Sequence, residues 1–351
     1  MTEILANFTW IDDTDDAINL VNQLDESADY AIDTEFERSR TFYLNPAVLQ
    51  IKCNQQFYLV DIAIPAIAEI VMKPINGLTL HSGSEDLELW FQVTGHKPER
   101  VFDTQVAAAL AGYSLHTSYL NLVQELMGVE LDKAMSRSDW LARPLSEEQI
   151  KYAVEDIVYL DEFKAILSDK VESRGLTPLF NVLMQQMIDN IETDRHNEKL
   201  FQKLVKAERL KADEANKLWL ILNWRDAIAK QRNKPRNWIL KPPQIVSIIR
   251  KVKYFSDLFH LGLHPNFVKH HGHNLLHAMY SDDEALLKQK PALIRLNSQQ
   301  GTRLSEMKQR INQVANRYDI EPSIIINVAD LKKLAFENGQ LEDLASWRVL
   351  V

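Results

Sequence analysis

The stretch ADYAIDTEFERSR, residues 28–40, places two carboxylates in the middle of an apolar run typical of a β-strand. Successive side chains of a strand alternate between its faces, so Asp33 and Glu35 point the same way. Like charges on one face repel, which costs folding free energy and separates the pKa values of the two groups. We therefore expect a cation to hold this pair.

Strand-like and helix-like segments alternate through the first part of the chain. The strand patterns after residues 28–40 are AVLQIKC (47–53), FYLVDIAI (57–64), LTLHS (78–82) and RVFDT (100–104). Helical patterns lie around them, as in EDLELWFQVTG (85–95) and TSYLNLVQELMG (117–128). A hairpin-like opening followed by β–α alternation predicts an α/β domain with a mixed sheet and helices on its faces.

One long amphipathic helix is predicted for SEEQIKYAVEDIVYLDEFKAIL, residues 146–167. Ser146 and Gln149 have the spacing of a capping box at its start. Strand patterns stop near Gly175, after which the patterns are helical only. We expect the α/β domain at 1–172, a helical linker at 173–206 and two small all-α domains at 207–283 and 284–351.

The composition is that of an ordinary folded protein, since 46% of the 351 residues are hydrophobic and 25% are charged. The one cysteine, Cys53, lies in an apolar run, so we expect a buried core residue and no disulfide. The amino terminus lacks a basic segment followed by an apolar core, and no stretch reaches membrane-spanning length. These features predict a cytoplasmic protein.

Charge is divided unevenly along the chain. Residues 1–165 hold 28 Asp and Glu against 11 Lys and Arg, whereas residues 166–351 hold 21 against 29. An acidic half joined to a basic half favours catalysis in the first and polyanion binding in the second. Solvated helix faces explain the same asymmetry equally well, so charge alone leaves both interpretations open.

Three further side chains join the strand pair as candidates for catalysis. Asp86 lies in the first turn of a predicted helix, and Tyr152 and Asp156 are an i,i+4 pair on one helix face. Oxygen ligands of this kind suit Mg²⁺ or Mn²⁺ and not zinc. Two such cations about 3.5–4 Å apart form an arrangement that cleaves phosphodiesters.

The order and context of these residues resemble the DEDD exonucleases of the ribonuclease-H-like fold, in the subclass with a tyrosine four residues before the last aspartate. The motifs that match are DTEF at Asp33, HSGSEDLEL around Asp86 and YAVEDIVYL from Tyr152. Within that group the chain is similar to the ribonuclease D family. That likeness extends through VFDTQVAAAL (101–110) and LDKAMSRSDWLARP (131–144) to LNWRDAIAKQRNKPRNW (222–238), which resembles the start of an HRDC domain.

The resemblance implies a 3′–5′ exoribonuclease that trims tRNA precursors and other small structured RNAs and releases nucleoside 5′-monophosphates. It implies two divalent cations, with Asp33 bridging them, Glu35 and Asp156 completing the first site and Asp86 holding the second. Tyr152 would orient the attacking water and help to take its proton. The domain at 1–172 would be the exonuclease, 207–283 a first HRDC domain and 284–351 a second, HRDC-like one.

Basic side chains are the candidates for RNA contact. The predicted set is Arg38, Arg40, Lys133, Arg137, Arg143, Arg225, Lys230 and Arg232, with Lys234 and Arg236 beside it. We expect the basic side chains between Arg225 and Arg236 to be exposed. For Arg38 and Arg40 a solvated strand end is an equal alternative. We expect Trp140 to anchor its loop in the core, and Asp103 to cap a helix or support the site.

Three alternatives to this account stay open. The same site could act on DNA, although the helical tail argues against it, or the chain could be an inactive RNA-binding scaffold, although none of the five site positions is lost. Six histidines between His260 and His277 raise the possibility of a zinc site, but with no cysteine nearby we expect surface histidines. We expect RNA as partner, no membrane and a monomer.

Overall fold

The computed structural model describes residues 8–53, 55–131, 135, 138–192 and 194–351. Its centre is a six-stranded mixed sheet in the order β1-β4-β3-β2-β5-β6. The strands are β1 (Phe8–Ile11), β2 (Asp29–Glu37), β3 (Asn45–Cys53), β4 (Gln56–Asp61), β5 (Gly77–Leu80) and β6 (Arg100–Asp103). Strand β3 is antiparallel to both neighbours, and the other pairs are parallel. The predicted mixed sheet is confirmed.

Strand β2, which carries the two carboxylates, is a central strand between β3 and β5. Its register with β3 pairs Asp33 with Gln50 and Glu35 with Val48, and then shifts, so that Phe36 pairs with Pro46. Proline has no N–H to give to a ladder, and such shifts bend and twist a strand. The regular part of the β2–β3 ladder therefore ends just past Glu35.

Eight helices accompany the sheet within the described residues up to Asp189. They are α1 (Thr14–Val21), α2 (Pro65–Met72), α3 (Ser84–Thr94), α4 (Thr104–Leu110), α5 (Tyr119–Met127), α6 (Glu147–Glu155), α7 (Leu160–Ser173) and α8 (Thr177–Asp189). Residues 47–53 of β3 are all buried, including Cys53 as expected. Burial of successive strand residues requires cover on both faces of the sheet.

The expectation of one continuous helix over 146–167 is wrong, although its capping box at Ser146 and Gln149 is present. Helix α6 ends at Glu155 and α7 begins at Leu160. The Tyr119 hydroxyl donates to the Glu155 carbonyl over 2.8 Å and accepts from the Tyr159 N–H over 3.3 Å. These two groups would bond each other in a continuous helix, so the inserted hydroxyl interrupts it.

The remaining elements are helical, as predicted beyond Gly175. They are α9 (His196–Glu208), α10 (Ala212–Arg232), α11 (Arg236–Ile239), α12 (Pro242–Lys251), α13 (Pro265–Met279), α14 (Glu284–Lys288), α15 (Ser298–Tyr318), α16 (Pro322–Ile325), α17 (Val328–Phe336) and α18 (Ala345–Arg348), with 3₁₀ turns at Phe255–His260 and Leu341–Asp343. No helix within the described residues is long and apolar enough to cross a membrane.

The chain divides into two compact units. The first contains residues 1–37, 45–192 and 294–351, and the second contains residues 38–44 and 193–293. In the first, Arg174 donates to the carbonyls of Tyr318 and Asp319 over 2.7 and 2.9 Å. In the second, helices α10, α12 and α13 share a buried apolar core. The domain boundaries expected from the sequence stay predictions.

Candidate active site

Three carboxylates come together on one side of β2. Oxygens of Asp33, Glu35 and Asp156 all lie within 4.8 Å of one another, and this is the one such acidic or histidine group in the part of the chain that the structure describes. Strand alternation brings the first two together, and the interruption after Glu155 places Asp156 at the carboxyl end of α6. The cluster therefore unites residues more than 120 positions apart in sequence.

Asp86 lies in the first turn of α3 and is only 8% exposed. Its Oδ1 atom accepts hydrogen bonds from the main-chain N–H of Thr34, over 3.1 Å, and from the Thr34 hydroxyl. Thr34 stands between Asp33 and Glu35 on β2, so Asp86 is tied to the strand of the cluster. No pattern in the sequence pointed to Thr34.

The start of α3 is held by Asp103, the N-cap residue of α4. The Asp103 carboxylate accepts from the N–H groups of Gly83 and Gln105 over 2.9 and 2.8 Å, and it is 1% exposed. This confirms the expected capping role. It also fixes the turn that brings Asp86 to the site.

Tyr152 lies on α6 one turn before Asp156, and its hydroxyl is hydrogen-bonded to the Asp156 carboxylate. Its ring packs against Trp140 with the centroids 5.9 Å apart. Trp140 is 4% exposed, so the prediction that it anchors its loop in the core is confirmed. The sequence-predicted set of four carboxylates and one phenol is thus gathered in one region.

Burial and mutual repulsion dominate the electrostatics of this cluster. Burial, followed by repulsion from neighbouring carboxylates, raises the pKa of Asp33 well above its usual range and the pKa of Glu35 to about 9. Burial also raises the pKa of Asp156 to about 8 and that of Asp86 to about 6, where the hydrogen bonds from Thr34 oppose the rise. Such a cluster favours a nearby positive charge.

The donor set fits a hard divalent cation. It offers carboxylate oxygens, with no described histidine or cysteine in the group, and oxygen ligands are those that Mg²⁺ and Mn²⁺ prefer. A bound cation would also offset the repulsion that, after burial, raises the carboxylate pKa values. The chemistry of the donor set therefore supports the expectation of a divalent-cation site.

Comparison with known proteins identifies the family. A 3′–5′ exonuclease family profile matches residues 8–172. Ribonuclease D of Bartonella henselae is 31% identical over 318 residues, which cover 87% of this chain and 77% of that protein. Ribonuclease D of Escherichia coli is 32% identical over 272 residues, which cover 75% of this chain and 72% of that protein. The chain belongs to the ribonuclease D family.

A solved ribonuclease D structure supports the fold as well. The crystal structure of Escherichia coli RNase D, an exoribonuclease involved in structured RNA processing, has a TM-score of 0.79 with this chain at 27% identity and covers 94% of this chain and 90% of that one. The expected ribonuclease-H-like exonuclease domain followed by helices, and the 3′–5′ exoribonuclease class of ribonuclease D, are therefore confirmed.

Arg143, predicted to contact RNA, is instead fully engaged by the protein. Its guanidinium binds Asp61 through Nε and Nη2, both over 2.6 Å, and donates to the carbonyls of Trp140, Ala142 and Ala47 over 2.8 to 2.9 Å. These contacts use all five N–H donors. The prediction is wrong because the side chain ties the loop to strands β3 and β4.

The prediction that Arg225 is exposed and contacts RNA is also wrong, because its side chain is fully buried. It shares a stripe of α10 with the buried residues Leu218, Leu222 and Ala229, spaced three and four residues apart. Its guanidinium makes long contacts with the Leu240 carbonyl and the Asn197 side chain. Burial lowers its pKa to about 10, and no exposed surface is left for RNA.

Other basic candidates have varied surroundings. Lys230 pairs with Asp226 over 3.0 Å, and Arg236, expected to be exposed, is bound to Asp226 and Asp194 with 16% of its side chain exposed. Arg38 and Arg40 are exposed in the segment 38–44, whose residues belong to the second compact unit. Lys133 and Arg137 lie outside the described residues. RNA contact by Arg38, Arg40, Lys230 and Arg232 stays a prediction.

Proposed function

We propose that the protein removes nucleotides one at a time from the 3′ ends of tRNA precursors and other small structured RNAs, using two divalent cations, Mg²⁺ or Mn²⁺. The observation that carries the proposal is the convergence of three carboxylate groups within 4.8 Å, beside Tyr152 and Asp86. The substrate class is supported by the Escherichia coli relative, which is described as acting in structured RNA processing.

Each carboxylate has a proposed part in holding the cations. Asp33 would contact both, Glu35 and Asp156 would complete one site, and Asp86 would hold the other, directly or through water. The two hydrogen bonds that Asp86 Oδ1 accepts from Thr34 would orient the carboxylate for this purpose. When bound, the cations would lower the pKa of a water molecule and offset charge on the scissile phosphate.

Tyr152 is proposed to orient the attacking water. Burial and the charges of Asp156, Glu35 and Asp33 raise the pKa of its phenol, so the hydroxyl stays protonated at neutral pH in the metal-free site. The hydroxyl is hydrogen-bonded to the Asp156 carboxylate, and its oxygen has a lone pair with which to accept from water. The packed ring of Trp140 limits how far the phenol can move.

The helical part of the chain is proposed to hold the RNA backbone. The 15 Lys and Arg against 5 Asp and Glu in residues 201–270 support this placement. Arg38, Arg40, Lys230 and Arg232 are the proposed phosphate contacts. The exonuclease domain at 1–172, the linker at 173–206, the HRDC domains at 207–283 and 284–351, a monomeric state and a cytoplasmic location complete the proposal.

A labelled RNA tests this function. A tRNA carrying extra 3′ nucleotides and a 5′ label is incubated with the protein and Mg²⁺ or Mn²⁺, beside a chelator control. The proposal requires a ladder that shortens by one nucleotide at a time and is absent with Asp33→Ala. Asp16→Ala, which changes an exposed aspartate of α1, is the matched control and must keep the ladder.

Two other outcomes would contradict the proposal. Shortening of a DNA strand of the same sequence, with the RNA left intact, would favour a DNA exonuclease. An intact RNA that shifts on a native gel with both wild type and Asp33→Ala would favour a binding scaffold.

A further inference from the structure

Two adjoining cavities lie in the second compact unit, and none of the residues assigned above to catalysis lines them. One, of about 580 Å³, is lined by Arg232 at the end of α10 and by residues of α13 with its N-cap, among them Phe267 and His271. The other, of about 540 Å³, is lined by Trp238 of α11, by Lys241 and by further residues. His264 and Phe267 line both cavities and so form their common wall.

Trp238, which lines the second cavity, is exposed in a way that packing of the folded core does not explain. Its side chain is 60% exposed, although tryptophan is among the residues that gain most from burial. The Lys234 ammonium lies 5.7 Å from its ring centroid. An exposed indole ring beside a cation provides a surface for stacking and a charge for a nearby phosphate.

Among the described residues, the charged side chains that line the two cavities are all positive. Arg232 and Lys241 are cationic, His264, His270 and His271 provide imidazole groups, and no carboxylate is among the described residues that line either cavity. Arg232 is held in place by a hydrogen bond to His271 Nε2 over 3.0 Å. Because the walls combine aromatic rings with positive charge and lack negative charge, an anionic ligand with planar rings is complementary to them.

We infer that the two cavities bind two consecutive nucleotides of single-stranded RNA, with a base stacked on Trp238 and phosphates near Lys241 and Arg232. This inference rests on the proposed function for the identity of the nucleic acid as RNA. It gives the histidine-rich stretch a role as part of the wall through His264, His270 and His271. A zinc site there has no support, since no metal-binding group in the described residues contains a histidine.

Binding is measured by fluorescence anisotropy with a labelled single-stranded ten-nucleotide RNA, in chelator so that no hydrolysis occurs. We expect Trp238→Ala to weaken binding by about fivefold to 100-fold, as loss of one base–aromatic stack does. Trp238→Phe should restore most of the affinity, and Lys241→Gln should reduce the salt dependence. Tyr254→Ala, which removes a 72% exposed aromatic outside both cavities, should leave binding unchanged.

Inorganic polyphosphate distinguishes stacking from charge alone. Trp238→Ala should leave binding of polyphosphate unchanged, whereas an equal loss for polyphosphate and RNA would overturn the stacking inference. Unchanged RNA binding by Trp238→Ala, in a protein that degrades RNA, would overturn the inference and leave the proposed function intact. If the wild-type protein cleaves no RNA but binds it in a way that depends on Trp238, the inference would stand and the proposed function would be overturned.

Discussion

The Tyr119 hydroxyl donates a hydrogen bond to the Glu155 carbonyl over 2.8 Å and thereby ends helix α6 one residue before Asp156. A second side chain, Lys52, supports the same interruption, because its buried ammonium donates to the Val158 carbonyl over 2.8 Å. In a continuous helix the Glu155 and Val158 carbonyls would accept hydrogen bonds from main-chain N–H groups. Here side chains of other elements donate to them instead. The position of the third carboxylate therefore depends on contacts made outside its own helix.

Replacing Tyr119 by Phe should lower the turnover number by at least about tenfold and raise the metal concentration for half-maximal activity. Without the hydroxyl, the Tyr159 N–H and the Glu155 carbonyl can bond each other, and Asp156 turns with the extended helix. Tyr58→Phe is the control, because it also removes a tyrosine hydroxyl, one that lies 3.3 Å from Gln23. Equal activity and metal dependence in Tyr119→Phe and the control would contradict this account.

Replacing Asp33 by Asn should abolish hydrolysis and yet stabilise the metal-free protein. The substitution replaces an ionisable group in a buried cluster whose carboxylate pKa values are raised first by burial and then by repulsion from neighbouring carboxylates. A gain of about 1 kcal/mol corresponds to a melting temperature higher by about 2–4 °C. Scanning calorimetry in chelator measures this, and a melting temperature lower than that of Asp16→Asn would show that repulsion is unimportant.

The stability of the metal-free protein should fall as pH rises from 7 to 9.5. Glu35 has an ordinary pKa of 4.5 and a folded-state pKa of about 9, so the folded state binds its proton more tightly. The resulting stability is complete below the unfolded pKa and is lost as pH rises through the folded value, by up to about 1.4 kcal/mol per pH unit for one proton. Urea unfolding at several pH values measures this loss.

Two comparisons sharpen the pH experiment. Glu35→Gln should flatten the pH dependence, because it removes the titrating group. Saturating Mg²⁺ should flatten it as well, because a bound cation favours the charged carboxylates at every pH. A slope that is the same in wild type and Glu35→Gln would show that Glu35 does not carry the effect.

Replacing Arg143 by Gln should lower stability, by about 1–3 kcal/mol, without a selective effect on RNA binding. The change removes a bidentate pair with Asp61, whose side chain is 8% exposed, and leaves that carboxylate without its partner. Arg38→Gln is the contrasting variant, expected to raise KM for RNA and reduce its salt dependence. A raised KM for RNA and an unchanged stability in Arg143→Gln would show that Arg143 contacts RNA and does not stabilise the fold.

Much of the site was predictable because its signals are short-range. Strand alternation places Asp33 beside Glu35, and helical spacing places Tyr152 one turn before Asp156. The burial of Arg225 was also within reach, since it shares helical spacing with Leu218, Leu222 and Ala229. The prediction that Arg225 is exposed followed its positive charge and not this helical spacing.

The rest depends on tertiary contacts that no local pattern contains. The residues SYLN around Tyr119 fit an ordinary core helix, and nothing in them shows that the hydroxyl enters the helix at Glu155. Likewise, the link between Thr34 and Asp86 joins residues 52 positions apart. The three hydrogen bonds from Arg143 to Asp61 and Ala47 span 82 and 96 positions. Only the folded chain shows which donors meet which acceptors.

In the proposed reaction, water attacks the 3′-terminal phosphodiester at the carboxylate cluster. Its most direct test is digestion of a short RNA in ¹⁸O-labelled water with Mg²⁺, followed by mass spectrometry of the first products. We expect nucleoside 5′-monophosphates, each carrying one ¹⁸O in the phosphate, because the P–O3′ bond breaks and water supplies the new oxygen. Products with 3′ or 2′,3′-cyclic phosphates, or oligonucleotides released first, would contradict it.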